Sequence, residues 1–209
     1  MHVTVVLFDQ LTPLDAIGPY EALIRMPDAR VELAAMQAGP ITTSRGPLKL
    51  IADRALAELE RTDLLLVPGG PGTRALEQDA ALLAELRRLA AGARIVASVC
   101  TGALLLGAAG LLRGRRATTH WALVDRLAEF GATPIDDARV VVDRELWTGA
   151  GVSAGIDLAL HLVATLHGDD VAKAVQLGME YDPQPPFASG SVATAAPELV
   201  ARLRAGIAR

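Results

Sequence analysis

The chain carries one cysteine, and its surroundings suit nucleophilic chemistry. Cys100 lies in Ser98-Val99-Cys100-Thr101-Gly102-Ala103, where a Val/Ile-rich run gives way at once to an Ala/Leu-rich helical pattern. A strand that turns into a helix through one residue, with glycine two positions on, has the layout of a nucleophile elbow. The turn is tight and the helix must pack close to the sheet, so small residues follow. The elbow puts the thiol at a helix N-terminus, where unpaired N–H groups and the helix dipole favour an anion. Thiolates so placed have pKa values roughly one to several units below the free value of about 8.5. The spacing therefore predicts a thiol that is partly or largely ionised at neutral pH. The competing reading is a cysteine that only fills space at a strand end; the elbow spacing argues against it.

A glycine cluster supports the same site. Leu64-Leu65-Leu66-Val67 runs into Pro68-Gly69-Gly70-Pro71-Gly72, and glycines after a strand let backbone N–H groups approach a ligand closely. Beside the elbow, the amides of Gly69 and Gly70 are candidates to join that of Thr101 in stabilising a developing negative charge. Asp15, in Leu14-Asp15-Ala16-Ile17-Gly18-Pro19-Tyr20-Glu21, follows the first strand and falls on the same sheet edge. From spacing alone it reads rather as a first-turn acid favoured by the helix dipole. His120, in Thr118-Thr119-His120-Trp121, begins a helical run and reads as a cap or an interface residue. Ile17, Tyr20, Trp121, Val152 and Phe187 are candidates for the walls of a pocket.

These groups need elements to hold them. Apolar runs without strict alternation at His2–Phe8, Arg30–Gln37, Leu64–Val67, Arg94–Val99 and Val140–Val142, the last with a partner at Leu146–Thr148, read as strands buried on both faces. Helical patterns fall at Leu14–Arg25, Ala80–Ala91, Ala103–Ala109, Trp121–Phe130, Ser153–His167, Asp170–Met179 and Pro197–Ala208. Alternation of this kind implies right-handed βαβ crossovers and a doubly wound, mostly parallel α/β sheet, whose ligand site forms at the carboxyl ends of central strands. Gly39–Leu50 reads as a small hairpin or an irregular excursion, and the Pro-rich Asp182–Ser191 as an extended surface segment. No linker divides the 209 residues, so a single domain spanning 1–209 is expected.

Composition narrows the function classes. A formal charge of -4 and the short Arg113, Arg115, Arg116 cluster give no basic face for nucleic acid. The longest apolar stretches, Ala103–Leu112 and Ile156–Leu166, are too short or interrupted to span a bilayer, and the N-terminus has no signal-peptide pattern. A lone cysteine cannot form an intramolecular disulfide, so the reducing cytoplasm is the expected location. No metal-ligand spacing, Walker loop or G-x-G-x-x-G is present, so no cofactor and no metal are expected.

The segments around Cys100, together with Pro68-Gly69-Gly70-Pro71-Gly72, Leu106-Gly107-Ala108-Ala109-Gly110-Leu111-Leu112 and Arg116-Ala117-Thr118-Thr119-His120-Trp121, resemble the ThiJ/PfpI superfamily. Gly149-Ala150-Gly151-Val152-Ser153-Ala154-Gly155-Ile156-Asp157 and Glu180-Tyr181-Asp182-Pro183-Gln184-Pro185-Pro186-Phe187 extend the likeness over nearly the whole chain, and within the superfamily it is greatest to the isonitrile hydratases. The resemblance implies a flavodoxin-like fold, a homodimer and cofactor-free hydration of an isonitrile to an N-substituted formamide through a thioimidate on the cysteine. It assigns catalytic roles to Cys100, Thr101 and Asp15, and so decides between the two readings of Asp15. Glyoxalase- or deglycase-type members usually carry His after the cysteine or Glu as its acid partner, where this chain has Thr101 and Asp15. Sensor domains of AraC-type regulators are also similar, and a ligand- or redox-sensing protein is the non-catalytic alternative. Such regulators add a helix-turn-helix module of about 100 residues, and this chain has one helical pattern after its Pro-rich segment.

Overall fold

A computed structural model describes residues 1–207. In chain order the elements are β1 (His2–Val6), α1 (Pro13–Leu23), β2 (Arg30–Ala35), β3 (Gly39–Thr42), β4 (Lys49–Ala52), β5 (Arg54–Ala55), β6 (Leu64–Val67), α2 (Thr73–Leu76) and α3 (Ala80–Gly92). They continue with β7 (Ile95–Val99), α4 (Gly102–Ala108), β8 (Arg116–Ala117), β9 (Thr133–Pro134), β10 (Val140–Asp143), β11 (Leu146–Gly149), α5 (Ala154–His167), α6 (Asp169–Gly178) and α7 (Pro197–Ile207). The last position of the helical pattern at the C-terminus, Ala208, lies outside the described residues.

The main sheet runs β10-β11-β7-β6-β1-β2-β5 and is parallel throughout except for the β10–β11 hairpin at one edge. β1 and β6 pair in register Val3↔Leu64 to Val5↔Leu66, and β6 and β7 from Leu64↔Ile95 to Val67↔Ser98. Their apolar runs are continuous because helices cover both faces: all of Leu64, Leu65, Leu66 and Val67 are inaccessible to solvent. From β1 the chain crosses to β2 on one side, and from β6 it crosses to β7 on the other. The order therefore reverses between β1 and β6, which opens a crevice at their carboxyl ends. α1 packs against α5, and α3 against α4.

Two local features go beyond what the sequence pattern specifies. Trp121–Phe130 is wound as a 3-10 helix, with His120 as its N-cap and Gly131, at φ 73°, closing it. Its apolar spacing fits either kind of helix, so the sequence pattern does not separate them. Arg54–Ala55 adds a two-residue parallel strand to β2 at the sheet edge, too short for any periodicity to show. The hairpin expected over Gly39–Leu50 forms as the antiparallel pair β3–β4.

Candidate active site

Cys100 follows β7 directly and takes φ 55°, a left-handed conformation that costs a non-glycine residue roughly 1–2 kcal/mol. The surrounding backbone holds it there. Its N–H donates to the carbonyls of Ala150 (2.8 Å) and Gly149 (3.1 Å), and its own carbonyl accepts from the Thr119 hydroxyl (2.6 Å). α4 begins two residues on and presses against the end of β6: a Cβ on Gly102 would lie 2.1 Å from the Val67 carbonyl oxygen. Glycine at this position is therefore a steric requirement of the elbow.

The loop after β6 binds the other two candidate residues to the elbow. Gly69 N–H donates to Asp15 Oδ2 at 3.0 Å, and Gly70 N–H to the Thr101 hydroxyl oxygen at 2.8 Å; that hydroxyl lies 3.2 Å from the Gly70 carbonyl it donates to. A Cβ on Gly69 would fall 2.5 Å from Thr101 N and 2.9 Å from Asp15 Oδ2, so only glycine lets the loop wedge between them. The expectation that Gly69 and Gly70 supply N–H groups to a developing negative charge is thereby corrected. Both amides are engaged, one orienting Asp15 and the other Thr101. The N–H groups facing the Cys100 sulfur belong to Thr101 and Val152.

Asp15 is wholly buried, at 0% exposure, in the first turn of α1. Its Oδ1 has no hydrogen-bond partner, and the carboxyl as a whole lies beside the Cys100 thiol. Burial pushes the carboxyl up to about 7, against which the Gly69 amide and the thiol act more weakly. The thiol also goes up, to about 12, because burial disfavours its anion and the neighbouring Asp15 charge repels it. This corrects the expectation of a lowered thiol pKa. At 5% exposure Cys100 has lost its hydration, and the amides of Val152 and Thr101 offset only part of that loss. The arrangement sets a protonated thiol beside a carboxyl that is half ionised near neutral pH, a pairing suited to proton transfer between them.

Above the thiol opens a pocket of about 550 Å³. Cys100, Thr101 and Gly70 form its floor, Leu104, Leu123 and Val152 contribute apolar wall, and Gly206 and Ile207 from α7 close one side. α7 is held over the opening by Arg74, which donates to the Ile207 carbonyl, and by Arg204, whose guanidinium lies 5.6 Å from the centre of the Trp121 ring. Among the described residues no cluster of His, Cys, Asp or Glu could hold a metal ion.

With this geometry in view, residues 1–165 match the DJ-1/PfpI family. The chain belongs to the DJ-1/PfpI family. It is 48% identical over 204 residues to an isonitrile hydratase of Pseudomonas putida, covering 98% of this chain and 89% of that protein. It is 35% identical over 148 residues to the HTH-type transcriptional regulator CdhR of Pseudomonas aeruginosa, covering 70% of this chain and 43% of the regulator. The crystal structure of a ThiJ/PfpI family protein from Pseudomonas syringae matches with TM-score 0.95 and 38% identity, over 99% of this chain and 86% of that one.

In this DJ-1/PfpI chain the structure brings Asp15, Gly69, Gly70, Cys100 and Thr101 into one site. Of the side chains considered for pocket walls, Val152 lines it, and Ile17, Tyr20, Trp121 and Phe187 do not. Trp121 packs under α7, and Phe187 is exposed. His120 caps its helix, with Nδ1 accepting from Ala122 N–H at 3.3 Å, and also lines the pocket, where burial lowers its pKa. Sequence reasoning missed Arg45, Arg74 and Arg126, which line the same pocket. They come from three separate segments, so no local motif joins them.

Proposed function

We propose that this chain hydrates isonitriles, R–N≡C, to N-substituted formamides, with Cys100 as nucleophile and Asp15 as proton carrier. The observation that carries the reading is the buried Asp15 carboxyl set against the Cys100 thiol at a strained elbow. The near-full-length likeness to the Pseudomonas putida isonitrile hydratase supports it.

The reaction starts as the Asp15 carboxylate takes the thiol proton while sulfur attacks the terminal isonitrile carbon, a soft electrophile matched to a soft nucleophile. As the C–S bond forms, a lone pair develops on that carbon, and protonated Asp15 returns the proton to it. The product is a thioimidate, R–N=CH–S–Cys100. Asp15, again a carboxylate, removes a proton from water as its oxygen adds to the same carbon, and the proton passes to the imine nitrogen. The resulting R–NH–CH(OH)–S adduct collapses: the C–S bond breaks, C=O forms, and the hydroxyl proton returns through Asp15 to sulfur. One water is consumed and the formamide leaves. A carrier that must give and take a proton in alternate steps is most effective with a pKa near the working pH, which burial of Asp15 provides. The Val152 and Thr101 amides facing the sulfur stabilise the charge it carries in passing. The Thr101 hydroxyl, anchored on Gly70, orients the adduct or the incoming water.

The same reading makes the chain one ThiJ/PfpI-like domain, a homodimer and a cytoplasmic protein that needs no cofactor. Leu177 and Phe187 are exposed large apolar side chains of the kind that a second copy covers. The single free cysteine and the lack, among the described residues, of any helix long and apolar enough to cross a membrane fit the location. The likeness to CdhR keeps ligand sensing as the second reading, and turnover separates the two. The test is a steady-state assay of an aryl isonitrile, following the formamide by chromatography, with wild type beside Cys100→Ala and Asp15→Asn. Wild-type turnover that Cys100→Ala abolishes supports the mechanism; full activity in Cys100→Ala overturns it, and no turnover by wild type favours sensing.

A further inference from the structure

The charge around the pocket is lopsided, and that bears on what the substrate carries besides its isonitrile group. The lining contains Arg45, Arg74 and Arg126 and no aspartate or glutamate. Asp15 is wholly buried beside the Cys100 thiol and is not one of the lining residues. Arg126 is already countered, by a two-pronged contact with Glu77 (3.1 and 2.7 Å) and by Glu129 at 3.2 Å. Arg45, in the β3–β4 turn, and Arg74, on α2, make no ion pair among the described residues; Arg74 donates to the neutral Ile207 carbonyl. His120 adds no cation at neutral pH, since burial lowers its pKa. These two guanidinium groups, without an ion pair among the described residues, belong to exposed residues at the rim, while Cys100 and Thr101 are buried at the floor. Leu104, Leu123 and Val152 supply apolar surface within the same pocket.

We propose that the substrate class of this site is an isonitrile whose substituent carries a carboxylate. The inference rests on the isonitrile hydratase reading above. The isonitrile carbon is at Cys100, the hydrocarbon body lies against Leu104, Leu123 and Val152, and the carboxylate meets Arg45 and Arg74 at the rim. A planar guanidinium presents parallel N–H donors that match a carboxylate, so the rim recognises that group by shape as well as charge. A pocket of about 550 Å³ has room for an aryl or similar body between the two ends. The same rim repels a cationic substituent and offers a neutral one hydrogen bonds without charge attraction.

The test compares kcat/KM for 4-isocyanobenzoate and its methyl ester, which differ in charge and share the reacting group. Wild type is expected to favour the acid by about five- to tenfold at low ionic strength, as rim-exposed guanidinium contacts typically allow. The preference should shrink in high salt. In an Arg45→Gln/Arg74→Gln double variant the acid-to-ester ratio should fall to about one. Arg87→Gln, on the exposed face of α3 outside the pocket, should keep the wild-type ratio. Equal kcat/KM for acid and ester in wild type, or a ratio that survives in the double variant, overturns this inference and leaves the hydratase reading standing. Failure to turn over either compound overturns the hydratase reading, and this inference with it.

Discussion

Replacing Asp15 with asparagine should change how stability depends on pH, by an amount the structure sets. Burial raises the folded-state pKa of Asp15 from 3.8 to about 7. Below 3.8 the carboxyl is protonated whether the chain is folded or not, and it costs nothing. As pH rises from there to about 7, the unfolded chain releases the proton while the folded chain keeps it, so folding is progressively disfavoured. Above about 7 both states are ionised and the cost is constant. At 1.36 kcal/mol per unit, the full rise is worth about 4 kcal/mol, of which about 2–3 kcal/mol falls between about pH 5 and pH 8. Cys100 does not confuse this window, because its folded-state thiol, pushed up to about 12, stays protonated throughout. The asparagine side chain has no proton to lose, so its contribution is flat. Urea unfolding at about pH 5 and pH 8, followed by far-UV circular dichroism, should therefore show Asp15→Asn gaining about 2–3 kcal/mol on wild type between the two. Comparing the change with pH removes the fixed cost of fitting an amide into the site. If the difference between variant and wild type is the same at both pH values, the carboxyl is not raised and its role as proton carrier loses its physical basis.

The activity profile should mirror the titration: kcat/KM for a neutral isonitrile falls as pH drops through about 7, where Asp15 gains the proton that stops it acting as base, and Asp15→Asn abolishes that limb. Gly102→Ala sets a methyl 2.1 Å from the Val67 carbonyl and 2.7 Å from that of Pro68, both backbone atoms that cannot swing aside. A loss of about 3 kcal/mol, seen as a Tm lower by roughly 6 °C or more, is expected by calorimetry. Thr101→Val leaves the buried Gly70 N–H without its 2.8 Å acceptor, which should cost about 1–3 kcal/mol in thermal or urea unfolding. Thr101→Ser keeps the oxygen and should recover most of that loss; a serine variant as unstable as the valine one would show that the hydroxyl is not what matters.

The parts of the site that were legible in the sequence are those set by neighbours along the chain. β7, Cys100 and Gly102 follow one another closely, and the requirements of a tight strand-to-helix turn show in which residues follow the cysteine. The buried strands showed for a similar reason, since a run such as Leu64–Val67 has no solvent-facing side to break it. What stayed hidden depends on contacts between distant segments. Nothing near Val152 marks its amide as facing the sulfur, because β11 first has to pair with β7. Spacing alone leaves Asp15 an ordinary first-turn acid, and only the family resemblance marks it, because the Gly69 loop that closes on it lies 54 residues away. The helix-terminus argument for a lowered thiol pKa failed for the same reason. α4 does begin just beyond Cys100, but the depth at which packing buries the sulfur is a property of the whole fold and outweighs that local field.

The reacting groups and the outer wall of the pocket come from different parts of the chain. Cys100, Asp15 and the glycine loop are fixed by the central sheet, where a Cβ added at Gly69 or Gly102 meets backbone within 2.5 Å. Gly206 and Ile207, by contrast, belong to the final helix, none of whose described residues is buried. Mutation can therefore recut the entrance, changing which molecules are admitted, at little risk to the folding of the catalytic floor. In such a layout substrate range is free to drift between relatives while the bond-making step stays the same, and libraries confined to the last turn of α7 are the economical place to look for new selectivity.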